Sequence, residues 1–213
     1  MSNILILGAT GQIAQLVTAQ RLNAQLLNQH LVNDQTHHLF LYCRQPQRLN
    51  CQHAVEHHHV DVIQADVNDI AQLEQAMIDI DVVYANLSGH DLGQQAQNIV
   101  NAMQKEGVKR LIFITSMGIY NEVTTPAQNL QNNPALKPYR ALADVVESSG
   151  LDYTLVRPGW FVHAPNSKVV LSQKGEAFTG METSKQALVD FICDLIDQPT
   201  QHIQQSVGIY NAA

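Results

Sequence analysis

Short apolar runs alternate with amphipathic stretches along the chain, and this pattern predicts its secondary structure. The runs are typical of strands in a parallel sheet that is covered on both faces. They lie at 3–7, 39–43, 60–64, 81–85, 110–114 and 153–157, with a final strand near 207–210 and an irregular or strand segment near 169–178. Helical spacing is found at 12–28, 70–77, 92–105 and 139–147, and again from a cap at Thr183 or Ser184 to about 196. This order predicts a single-domain α/β fold, a doubly wound parallel sheet with helices on both faces.

The first strand runs directly into a glycine-containing turn, Gly8-Ala9-Thr10-Gly11-Gln12-Ile13-Ala14. Gly8 permits a tight turn, Gly11 permits a pyrophosphate to approach the backbone, and Ala14 lets the helix pack close to the sheet. The free amides at the start of the helix face the anion. We therefore predict a Rossmann-type dinucleotide site with contacts at Gly8, Thr10, Gly11, Gln12 and Ile13. The alternative is an ordinary glycine turn between a strand and a helix.

The residue at the end of the second strand bears on the choice between NAD and NADP. This position faces the adenosine ribose, and an acidic residue there favours NAD. The chain has Arg44, whose planar fork fits a 2'-phosphate through a charge-assisted contact. Asp34 precedes the strand and is discounted. We predict a preference for NADP(H), with a solvated arginine beside Arg48 as the alternative.

Two later strand ends add cofactor contacts. After the third strand, Asp66 is placed to accept a hydrogen bond from the adenine amino group and Val67 to cover the ring, while Asn68 or Asp69 caps the next helix. The fourth strand stops at a run of small and polar residues at the carboxyl edge of the sheet, where doubly wound folds bind ligands. The predicted contacts in that run are Asn86, Leu87, Ser88 and Gly89.

Composition and charge narrow the class of protein. The 213 residues suit one domain, and the net charge of −7 disfavours nucleic acid or an acidic membrane as the main partner. No apolar run has membrane-spanning length and no signal peptide precedes the first strand, so we expect a cytoplasmic protein. Cys43, Cys51 and Cys193 lack a metal or disulfide spacing and are expected to be reduced.

A group of histidines at 53 and 57–59 raises the question of a metal site. Consecutive histidines point in divergent directions, and no cysteine or carboxylate stands at a recognised ligand spacing from them. We interpret this stretch as a solvated loop and predict no metal.

The carboxyl edge of the fifth and sixth strands is expected to hold the acceptor. The fifth strand ends at Ser116, with Tyr120 shortly after it. The proline-containing stretch that follows, from 121 to 138, is expected to cross the site as a loop or lid. Trp160 and Phe161 follow the sixth strand and either line a pocket or form a hydrophobic plug. We assign the substrate side to segments of about 119–138 and 159–182.

Taken in order, these motifs resemble the atypical short-chain dehydrogenase/reductases. The resemblance is strongest to their small NAD(P)H-binding, NmrA-like branch, which includes flavin and biliverdin reductases. It covers nearly the whole chain and includes the run from Ser149 to Pro158. It implies that the glycine turn holds the pyrophosphate, that Arg44 holds the 2'-phosphate, and that Asp66 and Val67 hold the adenine. It also places the segment after Pro158 near the nicotinamide.

The chain departs from the family at the catalytic pair. Many short-chain reductases use a serine with Tyr-x-x-x-Lys, in which the lysine lowers the tyrosine pKa. Ser116 matches the serine and Tyr139 the tyrosine, but Ala143 stands where the lysine is expected. In the other register Arg140 replaces the lysine and Leu136 the tyrosine. Arg140 is then either a cation near the cofactor ribose or phosphate, or a surface helix arginine.

Without that pair, alcohol oxidation and epimerisation lose their proton-transfer device. Hydride delivery to a flavin or quinone requires less from the protein, because the cofactor carries the difficult step. The leading hypothesis is an NADPH-dependent reductase of a small planar acceptor, with Ser116 and then Tyr120 or Tyr139 near the reacting atoms. The alternative is a non-catalytic dinucleotide sensor of the NmrA type, which passes a difference in affinity between cofactor redox states to a partner protein.

Overall fold

The computed structural model describes residues 2–28, 37–50, 59–164 and 168–212. Within these ranges the strands are β1 Ser2–Leu7, β2 His37–Cys43, β3 Val60–Gln64, β4 Val82–Ala85, β5 Arg110–Ile114, β6 Asp152–Pro158, β7 Trp160–Val162, β8 Val169–Ser172, β9 Glu182–Ser184 and β10 Gln205–Asn211. The helices are α1 Gln12–Asn28, α2 Ile70–Ala76, α3 Leu92–Glu106, α4 Lys137–Glu147 and α5 Lys185–Asp197. The alternation of strands and helices therefore follows the sequence prediction closely.

Eight of the ten described strands form one large sheet in the order β3-β2-β1-β4-β5-β6-β10-β8. All neighbours in it are parallel except β8, which is antiparallel to β10 at the edge. The chain order reverses between β1 and β4, and this is the switch point at which doubly wound folds bind ligands. The predicted doubly wound α/β fold is confirmed, with one antiparallel edge strand added to it.

Two apolar layers cover the sheet. One layer joins α2, α3 and α4 to the strands through buried residues such as Leu73, Met103 and Leu142. The other joins α1 and α5 to the opposite face through residues such as Val17 and Ile192. The strands are apolar on both faces because both faces are covered, which explains their near-continuous hydrophobic runs.

Local signals in the sequence set several helix boundaries. The carboxylate of Asp69 accepts the Gln72 amide at 3.2 Å and starts α2, and the Ser184 hydroxyl accepts the Ala187 amide at 3.3 Å and starts α5. Gly107 ends α3 in the left-handed conformation, with φ of 77°. These caps were predictable because each depends on residues within one turn of the boundary.

The small sheet of β7 and β9 was not predicted. Its strands are three residues long and pair in parallel, with Trp160 beside Glu182. Segments this short carry too few residues to display a periodicity. The pairing joins the residues after β6 to those before α5 and so shapes the region assigned to the substrate side.

Candidate functional site

The glycine turn lies between β1 and α1 at the switch point. Gly8 has a φ of 75°, and its amide and that of Ala9 donate to the Tyr42 carbonyl at 3.1 and 3.2 Å. The Gly11 amide donates to the Gly8 carbonyl at 2.9 Å and closes the turn. Amides in the first turn of α1 have no acceptor within the helix, so they face outward at the carboxyl edge of the sheet.

Asn86, which follows β4, packs directly against both glycines. A Cβ on Gly8 would lie 2.3 Å from the Asn86 carbonyl oxygen, and one on Gly11 would lie 3.0 Å from its side-chain nitrogen. The Asn86 amide in turn donates to the Leu7 carbonyl at 3.0 Å. Asn86 thus leaves no room for a side chain at Gly8 and crowds one at Gly11, a reason for the glycines that the motif alone did not reveal.

A cleft of about 260 Å³ opens beside this turn. It brings together many of the predicted cofactor contacts: Gly8, Thr10, Gly11, Arg44, Asp66, Val67, Asn86, Leu87 and Ser88. It is also lined by residues that the sequence analysis did not assign to the site: Tyr42, Cys43, Gln45, Arg48, Ala65 and Gln95. Gln12, Ile13, Gly89, Arg140 and Pro158 were predicted as contacts but are not among the lining residues. The cleft therefore corresponds to the adenosine half of the predicted site.

Two arginines give one end of the cleft a positive character. The Arg44 side chain is 75% exposed, and its Nη1 lies 3.6 Å from Oδ2 of Asp66. The Arg48 Nη1 donates to the Gln45 side-chain oxygen at 3.4 Å. Arg44 makes no closer ion pair within the described residues, so its fork faces solvent at the mouth of the cleft. This is the arrangement that a phosphate group needs from an arginine.

Tyr42 holds two walls of the cleft together. Its carbonyl accepts the amides of the glycine turn, and its hydroxyl donates to the Asp66 carbonyl at 2.9 Å. Burial, with the nearby carboxylates of Asp69 and Asp66, raises the pKa of Tyr42 to about 12. The hydroxyl therefore stays protonated and keeps donating at all ordinary pH values. The sequence marked Tyr42 only as an apolar strand residue.

A polar network at the start of α3 supports the wall of the cleft that carries Asp66 and Val67. The Gln95 side chain donates to Oδ1 of Asp91 at 2.7 Å, and the Asn68 side chain donates to Oδ2 of Asp91 at 3.3 Å. Asn98 is buried, and its Nδ2 donates to the Val67 carbonyl at 3.3 Å. These bonds fix the loop after β3, which carries Asp66 and Val67, against the start of α3.

The predicted catalytic residues do not meet at the cleft. Ser116 is half-buried at the end of β5, and neither it, Tyr120 nor Tyr139 lines the cleft. The Tyr120 hydroxyl donates to Glu147 at 2.6 Å and lies 3.2 Å from the Ser206 hydroxyl. Burial and then the Glu147 hydrogen bond raise the pKa of Tyr120 well above its ordinary value. The Tyr120 proton is therefore held in a bond to Glu147, away from the cleft, and a catalytic role for Tyr120 stays a prediction.

The two residues that stand in place of the catalytic lysine, Ala143 and Arg140, lie on α4. Ala143 is fully buried in the core, so a lysine at that position would have to lie in an apolar layer. Arg140 forms an ion pair with Asp144 one turn later, and its guanidinium carbon stands 4.7 Å from the centre of the Tyr120 ring. Of the two interpretations of Arg140, these contacts favour the helix arginine.

The segments assigned to the substrate side, about 119–138 and 159–182, differ from the simple loop or lid that the sequence predicted. The stretch 121–138 contains two short 3-10 helices, and the buried Asn129 side chain bonds both the amide and the carbonyl of Val123 at 2.9 and 2.8 Å. Trp160 and Phe161 are 60% and 41% exposed, which excludes the hydrophobic plug for this pair. Trp160 is nevertheless anchored, since its amide donates to the Met181 carbonyl at 2.8 Å.

Metal and thiol chemistry find no support in the described part of the chain. His53, His57 and His58 lie outside the described residues, as do Asp34 and Cys51. Among the residues that are described, no group of His, Cys, Asp or Glu side chains could hold a metal ion. Cys43 and Cys193 are thiols buried in the core, and burial raises the pKa of Cys193 to about 11.

No helix in the described ranges is long and apolar enough to cross a membrane.

The fold and the cleft together define a Rossmann-type dinucleotide-binding domain, with a glycine turn at the switch point and polar strand ends around it. The chain belongs to the NAD(P)H-binding family, whose model matches residues 8–199. The family resemblance of the motifs is therefore confirmed. The match begins at Gly8, the first residue of the turn.

Individual relatives agree with this placement. Quinone oxidoreductase 2 of Escherichia coli (strain K12) is 28% identical over 161 residues, which make up 74% of this chain and 49% of that protein. The chain thus spans about half the length of this curated relative. A Rossmann-fold NAD(P)-binding family protein from Shigella flexneri is 37% identical with a TM-score of 0.80, covering 100% of this chain and 95% of that one. A short-chain dehydrogenase/reductase from Veillonella parvula, solved in complex with NADP, is 27% identical with a TM-score of 0.84 and the same coverage.

Proposed function

We propose that this chain is an NADPH-dependent reductase that delivers hydride to a small planar acceptor such as a flavin or quinone. The observation that carries the proposal is the cleft, which joins the glycine turn to the exposed fork of Arg44. A pyrophosphate suits the amides of the turn, and a 2'-phosphate suits Arg44 and Arg48. The cofactor, once bound, supplies the hydride.

The described residues fit the adenosine half of NADP(H). Thr10 and Gly11 would lie along the pyrophosphate, Val67 and Leu87 offer apolar surface to the adenine, and Asp66 offers an acceptor to its amino group. Within the cleft Arg44 faces a single carboxylate at 3.6 Å, so a phosphate would compete with a loose contact. The Veillonella parvula relative was solved with NADP bound, which supports the preference for NADP(H).

The acceptor would bind beyond Ser116, at the carboxyl ends of β5 and β6. Ser116 lies two residues after the end of β5 and is half-buried, and its hydroxyl is the proton donor that we assign to the reaction. Tyr139 stays a weaker candidate, since it is half-buried on the first turns of α4. The quinone named for the Escherichia coli relative fits a planar acceptor, and the cytoplasm remains the expected location.

The second candidate function is a redox sensor of the NmrA type that binds the cofactor without turnover. The buried Ala143 favours it, because the lysine of the proton-transfer pair is absent and its position is closed to solvent. Arg140, the other replacement, is bound to Asp144. A sensor requires unequal affinities for NADPH and NADP⁺, together with a partner protein that responds to the difference.

Nicotinamide absorbance followed over time separates the two candidates. Purified protein is mixed with NADPH or NADH, with and without a panel of flavins and quinones. A reductase gives acceptor-dependent loss of NADPH absorbance, with a slower loss of NADH. Tight NADPH binding with no loss for any acceptor contradicts the reductase and favours the sensor.

The Arg44→Ala variant tests the NADP preference. Losing one charge-assisted contact at an exposed site is expected to raise the Kd for NADPH about tenfold and to leave that for NADH unchanged. Lys109→Ala is the matched control, since Lys109 is an exposed cation at the opposite, amino edge of the sheet. Equal NADPH affinity in the wild type and Arg44→Ala would remove Arg44 from the phosphate site.

A further inference from the structure

A buried carboxylate fastens the turn that carries Ser116. Both oxygens of Glu122 accept backbone amides from this turn, Oε1 from Gly118 at 3.0 Å and Oε2 from Tyr120 at 2.9 Å. The Glu122 side chain is only 4% exposed. Gly118 has a φ of 83°, so the turn is folded tightly around the carboxylate.

Arg157 on β6 pairs with this carboxylate from the sheet side. Its side chain is fully buried, and its Nη1 binds Oε1 of Glu122. Its Nε donates to the Ser206 hydroxyl at 3.1 Å, and its Nη2 reaches the carbonyls of Ser172 at 3.4 Å and Ser206 at 3.3 Å. The guanidinium thereby links the β5 turn to β6, β8 and β10.

Ser116 stands between two residues that are fixed to the same strand. The Thr115 amide donates to the Val156 carbonyl at 2.8 Å, and the Met117 amide donates to the Pro158 carbonyl at 3.1 Å. Arg157 lies between these two acceptors on β6. The pair of Glu122 and Arg157 therefore sets the position of the β5 turn relative to the end of β6.

Burying two charges is costly, and replacement of such a pair by apolar residues is often neutral or stabilising. Stability alone is thus a weak reason for this pair to exist. We propose that Glu122 and Arg157 are positioning residues that hold the Ser116 hydroxyl at the acceptor, while neither contacts the acceptor itself. The proposal rests on the reductase function and adds to it the device that places its proton donor.

The test uses two variants with side chains of similar size. Glu122→Gln removes the carboxylate charge, and Arg157→Lys keeps the positive charge but removes the planar guanidinium. The expected result is a fall in kcat of about 10- to 100-fold, because small displacements of a reacting group have effects of that size. The Kd for NADPH should stay within about twofold, since the cleft is built from β1 to β4 and α3. Glu176→Gln is the control, because the exposed Glu176 also accepts a backbone amide, from Gln173 at 2.7 Å, and pairs with no arginine of the described ranges.

Two further measurements distinguish positioning from general damage. In a Ser116→Ala background, Glu122→Gln should cause no additional loss of kcat, since the pair acts through the serine. An equal loss in both backgrounds, or a parallel loss of NADPH affinity, would overturn the proposal.

Amide hydrogen exchange gives a readout that does not need turnover. Glu122→Gln and Arg157→Lys should both speed exchange at the Met117 amide, which donates to the Pro158 carbonyl rather than to Glu122 and whose bond depends on the turn. Unchanged exchange at Met117 in both variants would overturn the positioning role. If the wild-type protein shows no turnover, the reductase function fails and the exchange result still decides whether the pair holds the turn.

Discussion

At the scale of single residues, Tyr42 shows how one residue outside the recognised motifs can hold the walls of the cleft together. It is 1% exposed, and its ring packs in the core beneath the cleft. Its carbonyl fixes the glycine turn and its hydroxyl fixes the Asp66 loop, which follows another strand. Two walls of the cleft therefore depend on one residue, which sets the spacing between them.

Tyr42→Phe removes the hydroxyl and leaves the ring. A net hydrogen bond contributes about 0.5–1.5 kcal/mol, so we expect NADPH affinity to fall by roughly 2- to 10-fold, measured by titration calorimetry. Because the pKa of Tyr42 is raised to about 12, the wild-type affinity should show no ionisation of this group below pH 11. Tyr210→Phe, which loses a bond of 3.1 Å to Thr179 on the β10 side of the sheet, is the control and should leave affinity unchanged.

At the scale of elements, the β1–α1 turn is shaped by its contact with the end of β4. Gly8 needs a positive φ and also has no room for a Cβ beside the Asn86 carbonyl. Gly107, at the end of α3, has nearly the same φ of 77°, but outside its own neighbours and helix backbone no atom of the described residues lies within 4 Å of a Cβ built there. An alanine at either position would have a strained backbone, but only an alanine at Gly8 would also clash with neighbouring atoms.

Gly8→Ala and Gly107→Ala should therefore differ in cost. Left-handed strain alone predicts a loss of about 1 kcal/mol for Gly107→Ala. Gly8→Ala adds overpacking against backbone and should lose about 3 kcal/mol in the free energy of unfolding, together with NADPH binding. Urea denaturation measures both, and equal losses would show that Asn86 yields to the new methyl group.

At the scale of the whole molecule, an ionic cluster joins distant parts of the chain at the amino edge of the sheet. The Asp197 carboxylate, at the end of α5, accepts both bonds from Arg21 on α1, at 2.7 and 2.8 Å. It also lies 3.0 Å from Nε2 of His37 at the start of β2. Burial alone would raise the Asp197 pKa, but the hydrogen bonds from His37 and Arg21 outweigh it and hold that pKa below its ordinary value.

Asp197→Asn is expected to lower the free energy of unfolding by about 1–2 kcal/mol at pH 7. This value is that of a hydrogen bond to a charged group, reduced because the Asp197 side chain is 35% exposed and its charge is screened by solvent. A lowered folded-state pKa gives stability that is present above the unfolded value of 3.8 and is lost as the pH falls through the folded value. The difference from wild type should therefore shrink below pH 3.8.

Asp190→Asn is the control on the same helix, because Asp190 accepts from the neutral Gln20 and Gln186 side chains at 2.9 Å. Thermal unfolding across pH values measures both variants. A gap between Asp197→Asn and wild type that stays constant down to pH 2 would contradict the ionic origin of the effect.

The sequence predicted what depends on neighbours along the chain. Strands β3 and β5 and the caps Asp69 and Ser184 follow from local pattern, as does the glycine turn. Arg44 could be assigned to the mouth of the cleft because the end of β2 has a fixed place in a doubly wound sheet. Gln95 could not, since α3 presents it to the cleft only after packing on the loop that follows β3.

The sequence by itself therefore determined the fold class, the dinucleotide turn and the family, because periodicity and turn chemistry act over a few residues. Only the tertiary structure decided the partners of the buried polar groups. Glu122 and Arg157 are 35 residues apart, and Tyr42 and the Asp66 carbonyl are 24 apart. Tyr120 likewise donates to Glu147, 27 residues away, and lies beside the Ser206 hydroxyl, 86 residues away. Such pairs are set by strand order and register, which bring distant residues together and which no local pattern encodes.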